Sequence, residues 1–110
     1  MTESQLTVLL VDDHAVVREG YRRLLERSAD IEVVGEAANG SDAYRLAGTL
    51  APTVIVMDIS LPDISGIETT RRILARNPAA RVLAFSMHEE AIFAERALQA
   101  GASGYITKAS

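Results

Sequence analysis

The sequence contains no cysteine and no tryptophan, and three prolines are the only ones in its 110 residues. Without cysteine, the chain has no disulfide bonds, thiol nucleophiles or cysteine-ligated zinc sites. Basic residues are also scarce relative to acidic ones, 11 against 15, which gives a net charge of −4. Proteins bind nucleic acid through clustered lysine and arginine, so we expect no direct nucleic-acid binding by this segment.

Long hydrophobic runs are missing as well. The longest apolar runs, such as residues 8–11 and 54–57, are far shorter than the roughly 20 residues that span a bilayer. The N-terminal residues are polar and lack the basic region of a secretory signal. Hydrophobic side chains still make up 48% of the chain, enough for one core. We therefore expect a single globular domain in the cytoplasm, with no membrane partner.

Short apolar runs alternate with stretches of helical periodicity. The runs predict five strands, at roughly residues 7–11, 32–37, 53–57, 81–86 and 104–107. In the segments between them, the inward stripe is expected to include Leu24 and Leu25 in the first helix, and Ala97 and Leu98 in the fourth. This alternation predicts an α/β fold: a doubly wound, five-stranded parallel sheet with helices on both faces.

Polar residues stand where these predicted strands end. Asp12 and Asp13 follow the first strand, Asp58 the third, Ser86 ends the fourth and Lys108 follows the fifth. Ligands of such sheets bind beyond the carboxyl ends of the strands. Three carboxylates there would repel one another unless a cation lies between them, and their oxygens suit Mg²⁺. Asp58 could then act as a nucleophile that forms an acyl phosphate, with Lys108 and Ser86 binding the other phosphoryl oxygens.

Each of these residues has a simpler interpretation when taken singly. Asp13 is compatible with a helix cap, and Asp58 with ordinary turn chemistry. Lys108 and Ser86 are compatible with surface positions. His14, next to the acidic pair, is compatible with a metal ligand, although its oxygen-rich neighbours favour Mg²⁺ over a transition metal. The coincidence at four strand ends favours the phosphoryl site.

The motifs at these strand ends resemble those of a bacterial two-component response regulator receiver domain, over nearly the whole chain. They are residues 11–14, Met57-Asp58 ahead of residues 61–66, Ser86, and residues 101–108. Residues 13–20 and 86–88 are most similar to the NarL/FixJ (LuxR-type) subgroup. The resemblance implies a flavodoxin-like, CheY-like fold with strand order 2-1-3-4-5. Receivers of this family continue into a fifth helix, which this chain lacks.

The resemblance also implies a role for each matching residue. Asp58 would be the phosphoacceptor, Asp13 would bind Mg²⁺ directly, and Asp12 would bind it mainly through water. The backbone carbonyl of Ser60 would supply another metal ligand. By the same match, Ser86 and Lys108 would contact the phosphoryl group. Tyr105 would change rotamer when Ser86 moves. His88 and Ser60 would flank the water that hydrolyses the acyl phosphate. Met87 and Ala109 depart from the small residue and the proline that are usual in the wider family.

The family implies a switch rather than an enzyme, catalysing only its own phosphorylation and dephosphorylation. The phosphoryl donor would be a sensor histidine kinase or acetyl phosphate. Residues 1–110 would form a receiver that ends after the fifth strand, with a C-terminal helix-turn-helix DNA-binding domain in the full-length protein. Without a fifth helix, part of one face of the sheet would be left uncovered. This predicts either that the chain is a piece of a longer protein or that it forms a homodimer that covers the face.

Three alternatives compete with this interpretation. A degenerate receiver would serve as a phosphate-independent interaction or dimerisation module. A flavodoxin-like FMN carrier needs a phosphate-binding loop after the first strand, where Asp12 and Asp13 would repel the phosphate. A hydrolase of the haloacid dehalogenase type pairs its nucleophile with a second aspartate two residues later, where this chain has Ser60.

Overall fold

The computed structural model describes residues 5–86 and 91–107. In these residues five strands alternate with four helices: β1 (Leu6–Val11), α1 (Ala15–Leu25), β2 (Ile31–Ala37), α2 (Gly40–Leu50), β3 (Val54–Asp58), α3 (Gly66–Arg76), β4 (Arg81–Ser86), α4 (Ala91–Gln99) and β5 (Gly104–Thr107). No helix in this part of the chain has the length and apolar character needed to cross a bilayer.

The five strands form one parallel sheet in the order β2-β1-β3-β4-β5. The expected α/β fold and strand order are therefore confirmed. The predicted strand bounds agree with the observed ones to within one residue. β3 is displaced by one residue, to Val54–Asp58, because Asp58 is still in register with Phe85 of β4. The candidate acceptor is thus the last residue of the strand.

Helices cover both faces of the sheet. On one face, helices α2, α3 and α4 pack on the sheet and form the larger core cluster with it. This cluster includes Ala43, Ala47, Ile73 and Ala97 of the helices, and Leu9, Ile55 and Val82 of the strands. On the other face, Tyr21 and Leu25 of α1 pack on a smaller cluster that contains Val8, Leu10 and Val33. The alternation of side chains along each strand assigns successive residues to opposite clusters.

The expected inward positions of Leu24 and Leu98 are wrong. These side chains are 57% and 51% exposed, respectively. Adjacent residues of a helix point about 100° apart, so Leu24 turns away from the sheet when Leu25 faces it, and Leu98 does so beside Ala97. α1 buries none of its residues completely, because it meets the sheet along a narrow stripe.

Candidate active site

An acidic cluster lies at the carboxyl edge of the sheet, where β1 and β3 end side by side. Asp12, Asp13, His14 and Asp58 each offer one ligand atom, and these atoms all lie within 4.8 Å of one another. Asp12 and Asp58 are 1% exposed, whereas Asp13 is exposed. The parallel pairing of β1 with β3 brings together carboxylates that are more than forty residues apart in the sequence.

The backbone around Asp58 fixes the orientation of its carboxylate. The N–H of Ser60 donates to Asp58 Oδ1 at 2.9 Å, a turn contact of the kind that the sequence suggested. Further along, the N–H of Gly66 donates to the carbonyl oxygen of Ile59 at 3.0 Å. A Cβ atom at residue 66 would lie 2.1 Å from the carbonyl oxygen of Asp58. Only glycine permits this approach of α3 to the end of β3.

His14 lies against the acidic cluster. It is the N-cap residue of α1, so Asp13 does not have that position. The backbone N–H of His14 donates to Asp12 Oδ1 at 2.8 Å. Its ring Nδ1 lies 2.8 Å from Asp12 Oδ1 and 3.1 Å from Asp13 Oδ1. The imidazole therefore contacts both carboxylates at the end of β1.

Two arginines of α1, to which no sequence motif assigns a role, support this edge of the sheet. Arg18 Nη1 donates to the backbone carbonyl of Asp12 at 2.5 Å. Arg18 Nε and Arg22 Nε donate to the two carboxylate oxygens of Glu36, at 2.9 and 2.8 Å. Burial raises the pKa of Glu36, but these two hydrogen bonds and the arginine charges outweigh it, so the pKa is lowered. The i,i+4 spacing of the arginines is the only signal of this cluster in the sequence.

Ser86 and Tyr105 occupy neighbouring strands on one face of the sheet. Ser86 is fully buried at the end of β4, directly after Phe85, which is in register with Asp58. In the register of β4 with β5, Ala84 is opposite Tyr105 and Ser86 is opposite Thr107. Alternation along the strands therefore gives Ser86 and Tyr105 the same face. Tyr105 is half-buried against the larger core cluster.

Four residues that were singled out from the sequence lie outside the described residues. They are Met87, His88, Lys108 and Ala109.

The donor atoms of the acidic cluster fit a small divalent cation. Three carboxylates offer oxygens within 4.8 Å of one another, and the exposure of Asp13 leaves one side open to water. Mg²⁺ prefers a few carboxylate oxygens with water and phosphate completing its shell. The chemistry of these residues therefore suits Mg²⁺.

Comparison with known proteins agrees with this geometry. The family model of the response regulator receiver domain matches residues 8–110. The chain is 44% identical to the response regulator GacA of Pseudomonas viridiflava over 103 residues, which cover 94% of this chain and 48% of GacA. The chain thus spans about half the length of this relative.

Two solved structures are also similar. A LuxR-family two-component response regulator from Aurantimonas sp. SI85-9A1 has 52% identity and a TM-score of 0.93, over 97% of this chain and 76% of the other. A response regulator protein from Burkholderia pseudomallei has 28% identity and a TM-score of 0.86, over 96% and 61%. Its structure contains a phosphorylated aspartic acid, a calcium ion and citrate. The chain described above therefore belongs to the response regulator receiver domains of two-component systems, and among them to the NarL/FixJ type.

Proposed function

We propose that the chain receives a phosphoryl group on Asp58 in the presence of Mg²⁺ and changes conformation to control an output. The observation that carries the proposal is the acidic cluster, in which the ligand atoms of Asp12, Asp13 and Asp58 lie within 4.8 Å of one another at the carboxyl edge of the sheet. A degenerate interaction module would have no need of two buried carboxylates side by side.

Asp12, Asp13 and Asp58 would hold the Mg²⁺ ion, with the backbone carbonyl of Ser60 as a further ligand. When bound, the ion supplies positive charge that stabilises a phosphoryl group during transfer. The side chains of Asp12 and Asp13 would not be modified in the reaction. Arg18 keeps the backbone of Asp12 in place through its hydrogen bond to the carbonyl oxygen.

Asp58 is the nucleophile of the proposed reaction. One carboxylate oxygen attacks the phosphorus of an acyl phosphate or a phosphohistidine, an O–P bond forms, and the bond from phosphorus to the donor breaks. With acetyl phosphate the leaving group is acetate, and no proton is transferred. The N–H of Ser60 orients the Asp58 carboxylate through Oδ1. Ser86 and Lys108 would then bind the remaining phosphoryl oxygens.

Ser86 and Tyr105 would carry the signal away from Asp58. The phosphoryl group on Asp58 carries a charge of about −1.5 to −2, which attracts the hydroxyl of Ser86. Because Ser86 and Tyr105 share a face of the sheet, movement of Ser86 changes the space available to the ring. The switch requires that these contacts are stronger in the active conformation than in the inactive one.

The chain would form the receiver part of a longer cytoplasmic transcription regulator. Its relatives are about twice as long, and the NarL/FixJ resemblance implies a C-terminal helix-turn-helix domain. DNA binding would belong to that domain, since the present segment is acidic. A sensor histidine kinase is the proposed phosphoryl donor, and a second copy of the chain is a proposed partner.

Intact-mass spectrometry tests the proposed chemistry. The folded chain is incubated with acetyl phosphate, with and without Mg²⁺, beside the Asp58→Asn variant. We expect a single phosphoryl adduct that requires both Mg²⁺ and Asp58. Asp42→Asn is the matched control, because Asp42 is a carboxylate outside the acidic cluster. This variant should form the same phosphoryl adduct as the wild type. A folded wild-type chain that forms no adduct would favour the phosphate-independent module.

A further inference from the structure

The loop that follows Asp58 is attached to a neighbouring helix by one side chain. We call residues 59–65 the acceptor loop. The carboxylate of Asp63 accepts hydrogen bonds from the backbone N–H groups of Gly40, at 2.7 Å to Oδ1, and of Ser41, at 3.0 Å to Oδ2. Both amides belong to the first turn of α2, so both oxygens of Asp63 are bonded to another element.

Helix α2 already has a cap from its own sequence. Asn39 is its N-cap residue, and the side-chain oxygen of Asn39 accepts from the N–H of Asp42 at 2.8 Å. Asp63 bonds to two further amides of the same turn, from 22 and 23 residues away. Because Asn39 already caps the helix, we expect the Asp63 contact to stabilise the acceptor loop more than the helix.

The base of the acceptor loop is fixed by its own backbone. The N–H of Gly66 donates to the carbonyl of Ile59 at 3.0 Å, and the N–H of Ser60 donates to Asp58 Oδ1 at 2.9 Å. The far side of the loop packs closely on α2, where a Cβ atom at Gly40 would lie 3.1 Å from Cβ of Ile64. Asp63 therefore fixes the far side, three residues from Ser60.

We propose that Asp63 is a positioning residue for the acceptor loop, which holds the backbone of Ser60 in place for Asp58 and for the metal. The inference rests on the proposed function and extends it, because it assigns to Asp63 a role in holding Ser60 in that site. Without the Asp63 contact, the loop would gain conformations in which the Ser60 N–H no longer orients Asp58 and the Ser60 carbonyl is no longer held in place for the metal. Removing a group that orients a metal ligand typically lowers metal affinity by about tenfold or more, and Asp63 would orient Ser60 through the loop.

The test compares Asp63→Ala and Asp63→Asn with the wild type. Isothermal titration calorimetry gives the Mg²⁺ dissociation constant, and intact-mass kinetics give the rate of phosphorylation by acetyl phosphate. We expect Asp63→Ala to raise the dissociation constant about tenfold and to slow phosphorylation. Asp63→Asn keeps one oxygen acceptor and should restore part of both values. Hydrogen exchange at the Gly40 and Ser41 amides reports directly on the contact.

Asp42→Asn is the matched control, because Asp42 is an acidic residue of the same helical turn. It pairs with Arg45 at 3.4 Å and with Asn39 at 3.3 Å, and these contacts do not involve the acceptor loop. We expect Asp42→Asn to keep the wild-type dissociation constant. A shift as large as that of Asp63→Asn would mean that charge near α2 is responsible, and would overturn the inference.

The two proposals fail in different ways. A wild-type chain that binds Mg²⁺ but accepts no phosphoryl group would contradict the proposed function, while the dissociation constants would still decide the role of Asp63. If the Asp63 variants lose amide protection at Gly40 and Ser41 but keep the wild-type dissociation constant, the contact is only a helix cap. Asp63→Asn carries the test if Asp63→Ala does not fold.

Discussion

Repulsion among carboxylates is a cost of a site built to hold a cation. Asp12 and Asp58 are both almost fully buried, and Asp13 lies within the same 4.8 Å group. His14 and the backbone amides of residues 14 and 60 offset part of this repulsion through their contacts with Asp12, Asp13 and Asp58. A bound cation removes most of the remainder. The stability of the domain should therefore depend on Mg²⁺.

Replacing Asp13 by asparagine tests this repulsion. Without Mg²⁺, Asp13→Asn should raise the free energy of unfolding by about 0.5–1 kcal/mol, since one charge leaves a partly exposed cluster. With Mg²⁺ at 100 times its dissociation constant, the wild type should gain about 2.7 kcal/mol. The variant should gain much less at the same concentration. Urea unfolding measures both values, and a variant that is less stable than the wild type in the absence of Mg²⁺ would contradict this account.

Substitutions of Gly66 and Gly20 by alanine test whether the close approach of α3 to the end of β3 requires glycine. A Cβ atom at residue 66 would collide with the backbone of Asp58, whereas nothing lies within 4 Å of one at residue 20. Gly66→Ala should therefore destabilise the chain by about 2–3 kcal/mol. Gly20→Ala, in the middle of α1, should stabilise it by about 0.5–1 kcal/mol. Equal effects of the two substitutions in thermal unfolding would show that the close approach at Gly66 is unimportant.

At the scale of elements, α1 is the helix that depends most on polar contacts. It buries no residue completely, and its apolar contacts centre on Tyr21, whose ring meets Phe85 edge-to-face at a centroid distance of 5.3 Å. Arg18 and Arg22 attach the helix to β2 through Glu36. Arg18 also reaches the end of β1. The position of α1 and the geometry of Asp12 are thus linked.

Glu36→Gln tests the attachment of α1. The pKa of Glu36 is lowered from its ordinary value of 4.5, so its ion pairs with the two arginines stabilise the fold at any pH above 4.5. This stabilisation is lost as the pH falls through the lowered pKa. At pH 7 the substitution should cost about 1 kcal/mol. The difference from the wild type should narrow as the pH falls from 4.5 through the lowered pKa of Glu36. Unfolding measured from pH 3 to 7 gives both values, and a difference that stays constant with pH would contradict this account.

The sequence predicted the strands well and the helix faces less well. The apolar runs of residues 8–11 and 82–85 are flanked by polar residues, so the limits of these two strands could be predicted to within one residue. The buried residues of α1 and α4 were predicted less accurately. Helical periodicity shows which residues share a face, but it does not show which of them the sheet covers. Leu24 and Leu98 were misplaced for that reason.

At the scale of the whole molecule, topology brings the site together. Asp12, Asp13 and Asp58 were predicted from their places at strand ends, because parallel strands bring their carboxyl ends to one edge of the sheet. The contacts of Asp63 with α2 and of Arg18 with Glu36 were not predicted. They join residues that are 18 to 23 positions apart in the sequence. Local spacing in the sequence does not reveal how the elements that carry these residues are oriented relative to each other.

The most direct test of the central claim is to locate the phosphoryl group on the chain. After reaction with acetyl phosphate and Mg²⁺, reduction with borohydride converts an aspartyl phosphate to homoserine, which peptide mass spectrometry identifies by position. We expect one modified residue, Asp58, in the wild type and none in Asp58→Asn. Modification of Asp12 or Asp13 instead, or a phosphoryl group that persists in Asp58→Asn, would contradict the assignment of Asp58 as the acceptor.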